Sequence, residues 1–154
     1  MKQKMESRFI PGKQLCKQFY FSAVAPILHN RFPNLKYSAG LMGDGSEVLG
    51  FDDAVSTDHH WGPRVQLFLS EADLTAAEEI KNCLSHELPY EFMGYSTNFS
   101  EPDPNDSGVQ HLERIHSGRI NHRVTVETFR GFIQNQLGFD INFPIAISDW
   151  LSFP

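Results

Sequence analysis

The sequence predicts one domain of mixed α/β (α+β) class, and two kinds of hydrophobic spacing support this prediction. In some segments apolar residues recur every three to four positions, which is the spacing of an amphipathic helix. In others, apolar and polar residues alternate, as in a strand with one face in a core. The chain has 154 residues, and 40% of them are hydrophobic. That length suits a single domain over residues 1–154 with a hydrophobic core of its own.

The first predicted elements are a helix after Gly12 and a strand over Tyr37–Met42. The apolar stripe of the helix consists of the pairs Leu15/Cys16, Phe19/Tyr20, Ala23/Val24 and Ile27/Leu28. Pro26 lacks a backbone N–H, so we expect a bend near the end of this helix. Gly43–Ser46 should form a turn after the strand, because glycine adopts conformations that other residues avoid.

A second strand is predicted over Asp58–Leu69, where every other side chain shares a face. By this count Asp58, His60 and Arg64 point the same way. Pro63 interrupts the segment and marks an edge or a bulge, which can shift the face of the residues after it.

The next predicted elements are a helix and a third strand. Ser70 and Asp73 resemble a helix cap, and the apolar spacing continues to Leu84. Tyr90–Phe99 has the composition of a strand.

The last third of the chain begins with a long predicted loop over residues 100–121, rich in proline, aspartate, asparagine and glycine. Such a loop either closes over a substrate or is disordered. A strand over His122–Glu127 follows, and then a helix over Thr128–Leu137 with Phe129, Phe132 and Ile133 inward, which Gly138 is suited to end. The apolar C-terminal residues either pack on the domain or contact a protein partner.

Charge and cysteine content narrow the function classes. The formal net charge of −6 argues against a broad surface for duplex nucleic acid, since such binding depends on lysine and arginine. Cys16 and Cys83 read as small buried hydrophobes of a reduced protein. No segment has the pattern of a secretion signal or a membrane span, so we expect no membrane partner and a cytoplasmic location.

The Gly43–Ser46 turn is the first candidate binding feature. Backbone amides freed by the glycines, together with the Ser46 hydroxyl, can donate to phosphate oxygens. The alternative is an ordinary glycine-rich turn. Six basic or imidazole side chains that cluster later in the sequence are a further candidate anion site: Arg114, His116, Arg119, His122, Arg123 and Arg130.

Gly45-Ser46, followed by Ser56-Thr57-Asp58-His59-His60, resembles the Gly-Ser and Asp-x-Asp signature of the nucleotidyltransferase superfamily. The run Gly45–Leu69, with Phe9–Gly12 before it and Asn121–Asp140 after it, is similar to a bacterial branch of that superfamily. The resemblance implies a nucleotidyltransferase-like mixed sheet flanked by helices. It also implies transfer of a nucleoside monophosphate from a nucleoside triphosphate to a hydroxyl acceptor of unknown identity. Related sequences continue into a helical second half. Such a helical domain, rather than a separate protein, is the other possible partner of the apolar C-terminal residues.

The resemblance assigns Gly45 and Ser46 to the phosphates and Asp58 to the metal, Mg²⁺ or else Mn²⁺. The superfamily has a second acid two residues after the first, where this sequence has His60. Imidazole suits zinc, manganese or iron better than magnesium, so His60 as a metal ligand weakens the magnesium assignment. Asp52 and Asp53 are interpreted as surface acids rather than compensating ligands.

The remaining candidate site residues come from strand faces. Arg64 and Arg123 are candidates for the substrate phosphates. Glu127 is the first candidate for a third acid that takes the acceptor proton, and Glu91 is the second.

Three readings follow. The chain is an active nucleotidyltransferase; or an inactive nucleotide-binding or protein-interaction domain, because His60 replaces an acid; or a zinc or manganese hydrolase that uses Asp58, His60 and His122.

Overall fold

The structure, a computed structural model, describes residues 9–55, 57 and 61–151. Its helices in chain order are α1 (Gly12–Phe19), a π-helical segment (Tyr20–Val24), α2 (Ala25–Arg31), α3 (Ser46–Leu49), a 3-10 segment (Leu74–Ala76), α4 (Ala77–Glu87), α5 (Phe129–Leu137) and α6 (Ile147–Leu151). Its strands are β1 (Tyr37–Gly40), β2 (Arg64–Leu69), β3 (Glu91–Phe92), β4 (Tyr95–Ser96) and β5 (Arg123–Thr128).

A mixed sheet with the order β1-β2-β5 forms the centre of the fold. β1 runs antiparallel to β2, and Gly40 lies opposite Gln66. β2 runs parallel to β5, and Arg64 lies opposite Arg123. The predicted α+β class, with a mixed sheet flanked by helices, is confirmed.

The two faces of the sheet have different chemistry. Apolar side chains of β2 and β5 on one face pack with the first helices and α4 in the core: Val65, Leu67, Leu69, Val124 and Val126 with Phe19, Val24, Leu28, Ile80 and Leu84. The alternating residues point to the other face, where Phe68 packs on Phe132 of α5 with ring centroids 5.6 Å apart. The rest of that second face is polar and carries the candidate site.

The predicted irregularity near Pro26 appears as the π-helical segment that precedes α2. Proline cannot donate the hydrogen bond that Ser22 would accept in a regular helix, so the ladder is broken there. The apolar stripe is retained, because Phe19, Val24 and Leu28 are all fully buried.

The predicted strand over Asp58–Leu69 is too long. β2 begins at Arg64, and residues 61–63 are not in a strand. Pro63 has no backbone N–H and Gly62 has a φ of 145°, so regular pairing starts only after them. Asp58, His59 and His60 lie outside the described residues, and the alternation that linked Asp58 to Arg64 does not apply.

The predicted strand over Tyr90–Phe99 is instead the hairpin of β3 and β4. Met93 and Gly94 have φ values of 51° and 89°, which turn the chain after only two paired residues. Glycine adopts such angles without strain, and this signal was overlooked in the sequence.

The cap of α5 agrees with the sequence, whereas the predicted cap at Ser70 and Asp73 lies in a turn before the 3-10 segment, and α4 has no side-chain cap. The Asp73 N–H donates to Ser70 Oγ at 3.2 Å, although α4 itself begins after the 3-10 segment. The Gly131 N–H donates to Thr128 Oγ1 at 3.0 Å, and Gly138 ends α5 with a φ of 76°. Phe129 is 46% exposed, so the prediction that it points inward is wrong.

Residues 100–121 form a loop with isolated bridges between Phe99 and Leu112 and between Asp103 and Val109. The Ile120 N–H donates to the Ser85 carbonyl at 2.8 Å, which ties the loop to α4. The second half of the loop is therefore attached to the domain by hydrogen bonds. None of the helices in the described part of the chain is long and apolar enough for a membrane crossing.

Candidate functional site

A cavity of about 670 Å³ opens on the polar face of the sheet. Its walls are β2, β5, the turn after β1, and α5. The lining includes Arg64 and Gln66 from β2, Arg123, Thr125 and Glu127 from β5, Asp44, Gly45 and Ser46 from the turn, and Phe132, Asn135 and Gln136 from α5. This volume is in the range of small-molecule sites.

Five residues selected from the sequence line this one cavity: Gly45, Ser46, Arg64, Arg123 and Glu127. The strand register explains why these side chains share one cavity. Arg64 lies directly opposite Arg123, and Glu127 is farther along the same face of the sheet. Glu91 does not line the cavity and lies 3.8 Å from Arg114. Asp58 and His60, the predicted metal ligands, are outside the described residues.

Gly45 occupies a position where any other side chain would be strained. Its φ is 126°, and an added Cβ would overlap Arg64 Nη2 and lie 2.6 Å from Glu47 Oε2. The turn is therefore glycine-rich because Arg64 passes directly beneath it. Ser46, at the start of α3, is half-buried beside this contact.

Arg64 is paired with Glu47, a partner that sequence reasoning missed. Arg64 Nε donates to Glu47 Oε1 at 2.6 Å, and Nη2 lies 2.5 Å from the same oxygen. Nη2 also donates to the Asp44 carbonyl at 2.5 Å. Glu47 is only 2% exposed, which is rare for a carboxylate unless it is paired. These contacts fix the guanidinium at the mouth of the turn.

Gln66 was also missed by sequence reasoning. Its Oε1 accepts from the Met42 N–H at 2.6 Å, and its Nε2 donates to the Met42 carbonyl at 3.0 Å. The side-chain amide thus satisfies both backbone groups of Met42 beyond the last pair of β1. It holds the chain that leads into the Gly43–Ser46 turn.

Arg123 is the second guanidinium of the cavity. Its Nη1 donates to Gln110 Oε1 at 2.7 Å, and its Cζ lies 5.6 Å from the centre of the Phe99 ring. Burial, and then the positive charge of Arg64, lower the pKa of Arg123 below its ordinary value. Arginine still keeps its proton in proteins. The cavity therefore holds two guanidinium groups, and that of Arg64 is ion-paired with Glu47.

Glu127 is the acid of β5 that lines the cavity. Burial raises its pKa above the ordinary value of 4.5, and a hydrogen bond with the Thr125 side chain opposes that rise. A carboxylate with a raised pKa is a better proton acceptor. This property suits the predicted role in taking a proton from an acceptor hydroxyl.

Within residues 9–55, 57 and 61–151, no group of three or more histidine, cysteine, aspartate or glutamate side chains could hold a metal ion. The described part of the site therefore does not fit magnesium by itself. Asp52 has a structural role: its Oδ2 accepts from the Gly12 N–H at 2.5 Å and from the Trp61 indole at 3.3 Å. It is half-buried rather than a free surface acid.

The basic residues that cluster in sequence do not form one site. Arg119 donates to Asn82 Oδ1 at 2.9 Å on α4, and Arg130 forms an ion pair with Asp140. Arg114 donates to the Gly94 carbonyl at 3.3 Å. Of the six, only Arg123 lines the cavity.

His122 is committed to the backbone. The Val124 N–H donates to Nδ1 at 3.1 Å, and Nε2 lies 3.0 Å from the Lys81 carbonyl, to which it donates. Both ring nitrogens are therefore used, which argues against His122 as a zinc ligand. Burial lowers the pKa of His122 below its ordinary value of 6.5.

This lowered pKa predicts loss of stability in acid. As the pH falls below about 6.5, His122 takes up a proton in the unfolded chain before it does so in the folded protein. The free energy of unfolding therefore decreases until the folded imidazole is also protonated. We expect the free energy of unfolding, measured with urea at about pH 7.5 and about pH 5.5, to fall more in the wild type than in His122→Gln. Equal pH dependence in the two proteins would contradict this expectation.

No family model, curated protein or solved structure matches the chain.

Proposed function

We propose that the chain is a nucleotidyltransferase-like domain that binds a nucleoside triphosphate in this cavity and transfers its nucleoside monophosphate to a hydroxyl acceptor. One observation carries the proposal. A single cavity is lined by the five residues that the sequence predicted as phosphate contacts and base: Gly45, Ser46, Arg64, Arg123 and Glu127. The first and the last of them are 82 positions apart in the chain (127 − 45).

Two guanidinium groups in the cavity support phosphate binding. Arg64 and Arg123 lie opposite each other on neighbouring strands and face the same space. Guanidinium groups match the geometry of phosphate oxygens and hold a fixed charge. Since Glu47 fixes Arg64 in place, little side-chain freedom is lost when the ligand binds.

In the proposed transfer, the acceptor oxygen forms a bond to the α-phosphorus while the bond from that phosphorus to pyrophosphate breaks. The acceptor proton passes to Glu127, whose raised pKa favours this role. By the resemblance, Asp58 and His60 would hold Mg²⁺ or Mn²⁺, and such an ion would neutralise the phosphate charge. The described residues supply the phosphate contacts and the base.

A second candidate function is nucleotide binding without transfer. β2 contributes Arg64, Val65 and Gln66 to the cavity lining, and none of them is an acid. Arg64 and Gln66 are also engaged with the turn, through Glu47 and Met42. A strand that carries no carboxylate toward the cavity favours binding over catalysis.

Both candidate functions require nucleotide binding in the cavity, and nucleotide titration of the Arg123→Gln variant tests this requirement. We expect wild-type protein to bind nucleoside triphosphates with Mg²⁺ or Mn²⁺ in isothermal calorimetry. We expect Arg123→Gln to weaken that affinity about tenfold or more, because a charged hydrogen bond contributes roughly 1.5–3 kcal/mol.

Arg114→Gln is the matched control, since Arg114 is 70% exposed and does not line the cavity. Its affinity should equal that of the wild type. Pyrophosphate release in the presence of acceptor alcohols then separates the candidates: release supports transfer, whereas binding without release supports the second. Absence of nucleotide binding by correctly folded wild type would overturn both.

A further inference from the structure

The wall of the cavity formed by α5 differs from the wall that carries the guanidinium groups. Phe132, Asn135 and Gln136 line the cavity from this helix, and all three are uncharged. Their spacing of three and four residues places them on one helix face. Thr128 caps the start of this helix and Gly138 ends it, so the face is fixed over the whole helix.

Phe132 anchors the apolar part of this wall. It is 7% exposed and packs on Phe68, with ring centroids 5.6 Å apart and planes at 69°. Leu41 and Met42 line the cavity beside it from the segment after β1. Together they form an apolar strip between the sheet and the turn.

Asn135 and Gln136 supply hydrogen-bonding groups at the edge of this strip. Both side chains are exposed, and each amide has a donor and an acceptor. The turn lies against the same wall, because a Cβ at Gly43 would lie 3.6 Å from Gln136 Nε2 and 3.7 Å from the Phe132 ring. A ligand whose phosphates contact the turn therefore has its next group beside α5.

We propose that the α5 wall recognises the nucleobase of the nucleotide, with Asn135 and Gln136 reading its edge and the apolar strip lying against the base. This inference rests on the proposed nucleotide binding. A nucleobase is a flat, neutral group with adjacent donors and acceptors at its edge, and amide side chains pair with such edges. The phosphates then lie at Arg64 and Arg123, and the base lies toward α5.

The test compares ligands with and without a base. Affinities for ATP, GTP, CTP, UTP and inorganic tripolyphosphate are measured by calorimetry, with Mg²⁺, for the wild type and for Asn135→Ala and Gln136→Ala. We expect the wild type to prefer one nucleotide over the other three and over tripolyphosphate. Each substitution should reduce that preference about tenfold and leave tripolyphosphate affinity within about twofold.

Gln134→Ala is the matched control, because Gln134 lies on the same helix, is exposed and does not line the cavity. It should bind every ligand like the wild type. If the wild type binds the four nucleotides and tripolyphosphate equally, or if Gln134→Ala and Gln136→Ala behave alike, base recognition by α5 is refuted while phosphate binding stands. If the wild type binds neither nucleotides nor tripolyphosphate, the proposed function itself fails.

Discussion

Replacing Glu47 by leucine is expected to lower the free energy of unfolding by about 3–5 kcal/mol, because it leaves the guanidinium of Arg64 without its buried counter-charge. The side chains of Glu47 and Arg64 are 2% and 13% exposed, so water from the cavity replaces only part of the lost contact. Arg64 would keep only the Asp44 carbonyl among the contacts described above. Urea unfolding at neutral pH measures the effect.

A double variant separates the pair from simple packing. Glu47→Leu with Arg64→Leu should be less destabilised than Glu47→Leu alone, since no unpaired charge remains buried. Glu78→Leu is the control for an exposed pair, because Glu78 is 86% exposed in its contact with Lys81. It should cost less than about 1 kcal/mol. A Glu47→Leu effect as small as the Glu78→Leu effect would show that the buried pair contributes little.

Gly12→Ala is expected to lower the free energy of unfolding by about 1–3 kcal/mol through overpacking. A Cβ at this position would lie 2.5 Å from Glu47 Cβ and 2.7 Å from Trp61 Nε1. Neither neighbour can move easily, because both are 2% exposed and the Trp61 ring packs on Tyr95 at 4.9 Å. Helix propensity alone predicts that Gly12→Ala raises the free energy of unfolding, since alanine is favoured over glycine in a helix by about 1 kcal/mol.

Gly131→Ala is the control for that substitution. Gly131 is also helical, and its added Cβ would meet only Thr128 Oγ1, at 3.2 Å. We expect a change within about 1 kcal/mol, measured by the same urea unfolding. If Gly12→Ala is no more destabilising than Gly131→Ala, the packing of α1 on Glu47 and Trp61 is looser than these distances indicate.

Helices and strands that have a local signal, such as a spacing of apolar residues or a cap, could be predicted from the sequence. The four-residue apolar repeat located the first helices, and alternation located β5. Thr128 and Gly138 marked the ends of α5. These features depend on spacing and on caps within a few residues, so they can be read from a short window of the chain.

Within the candidate site, the sequence selected Gly45, Ser46, Arg64, Arg123 and Glu127 by residue type, resemblance and strand face. It could not select Glu47, Gln66 or the α5 amides. Glutamate and glutamine are common on surfaces, so nothing in their local sequence distinguishes a buried partner from a solvated one. The predicted metal ligands Asp58 and His60 stay predictions.

Tertiary structure alone decided where β2 starts, which side chain pairs with Arg64, and which walls enclose the cavity. Gly12 meets Glu47 and Trp61, which are 35 and 49 positions away (47 − 12 and 61 − 12), and Arg64 meets Arg123 across parallel strands. Such contacts depend on how distant segments pack, and packing is set by the whole core rather than by neighbouring residues. The sequence therefore supplied the local elements and the candidate chemistry, and the fold brought that chemistry together.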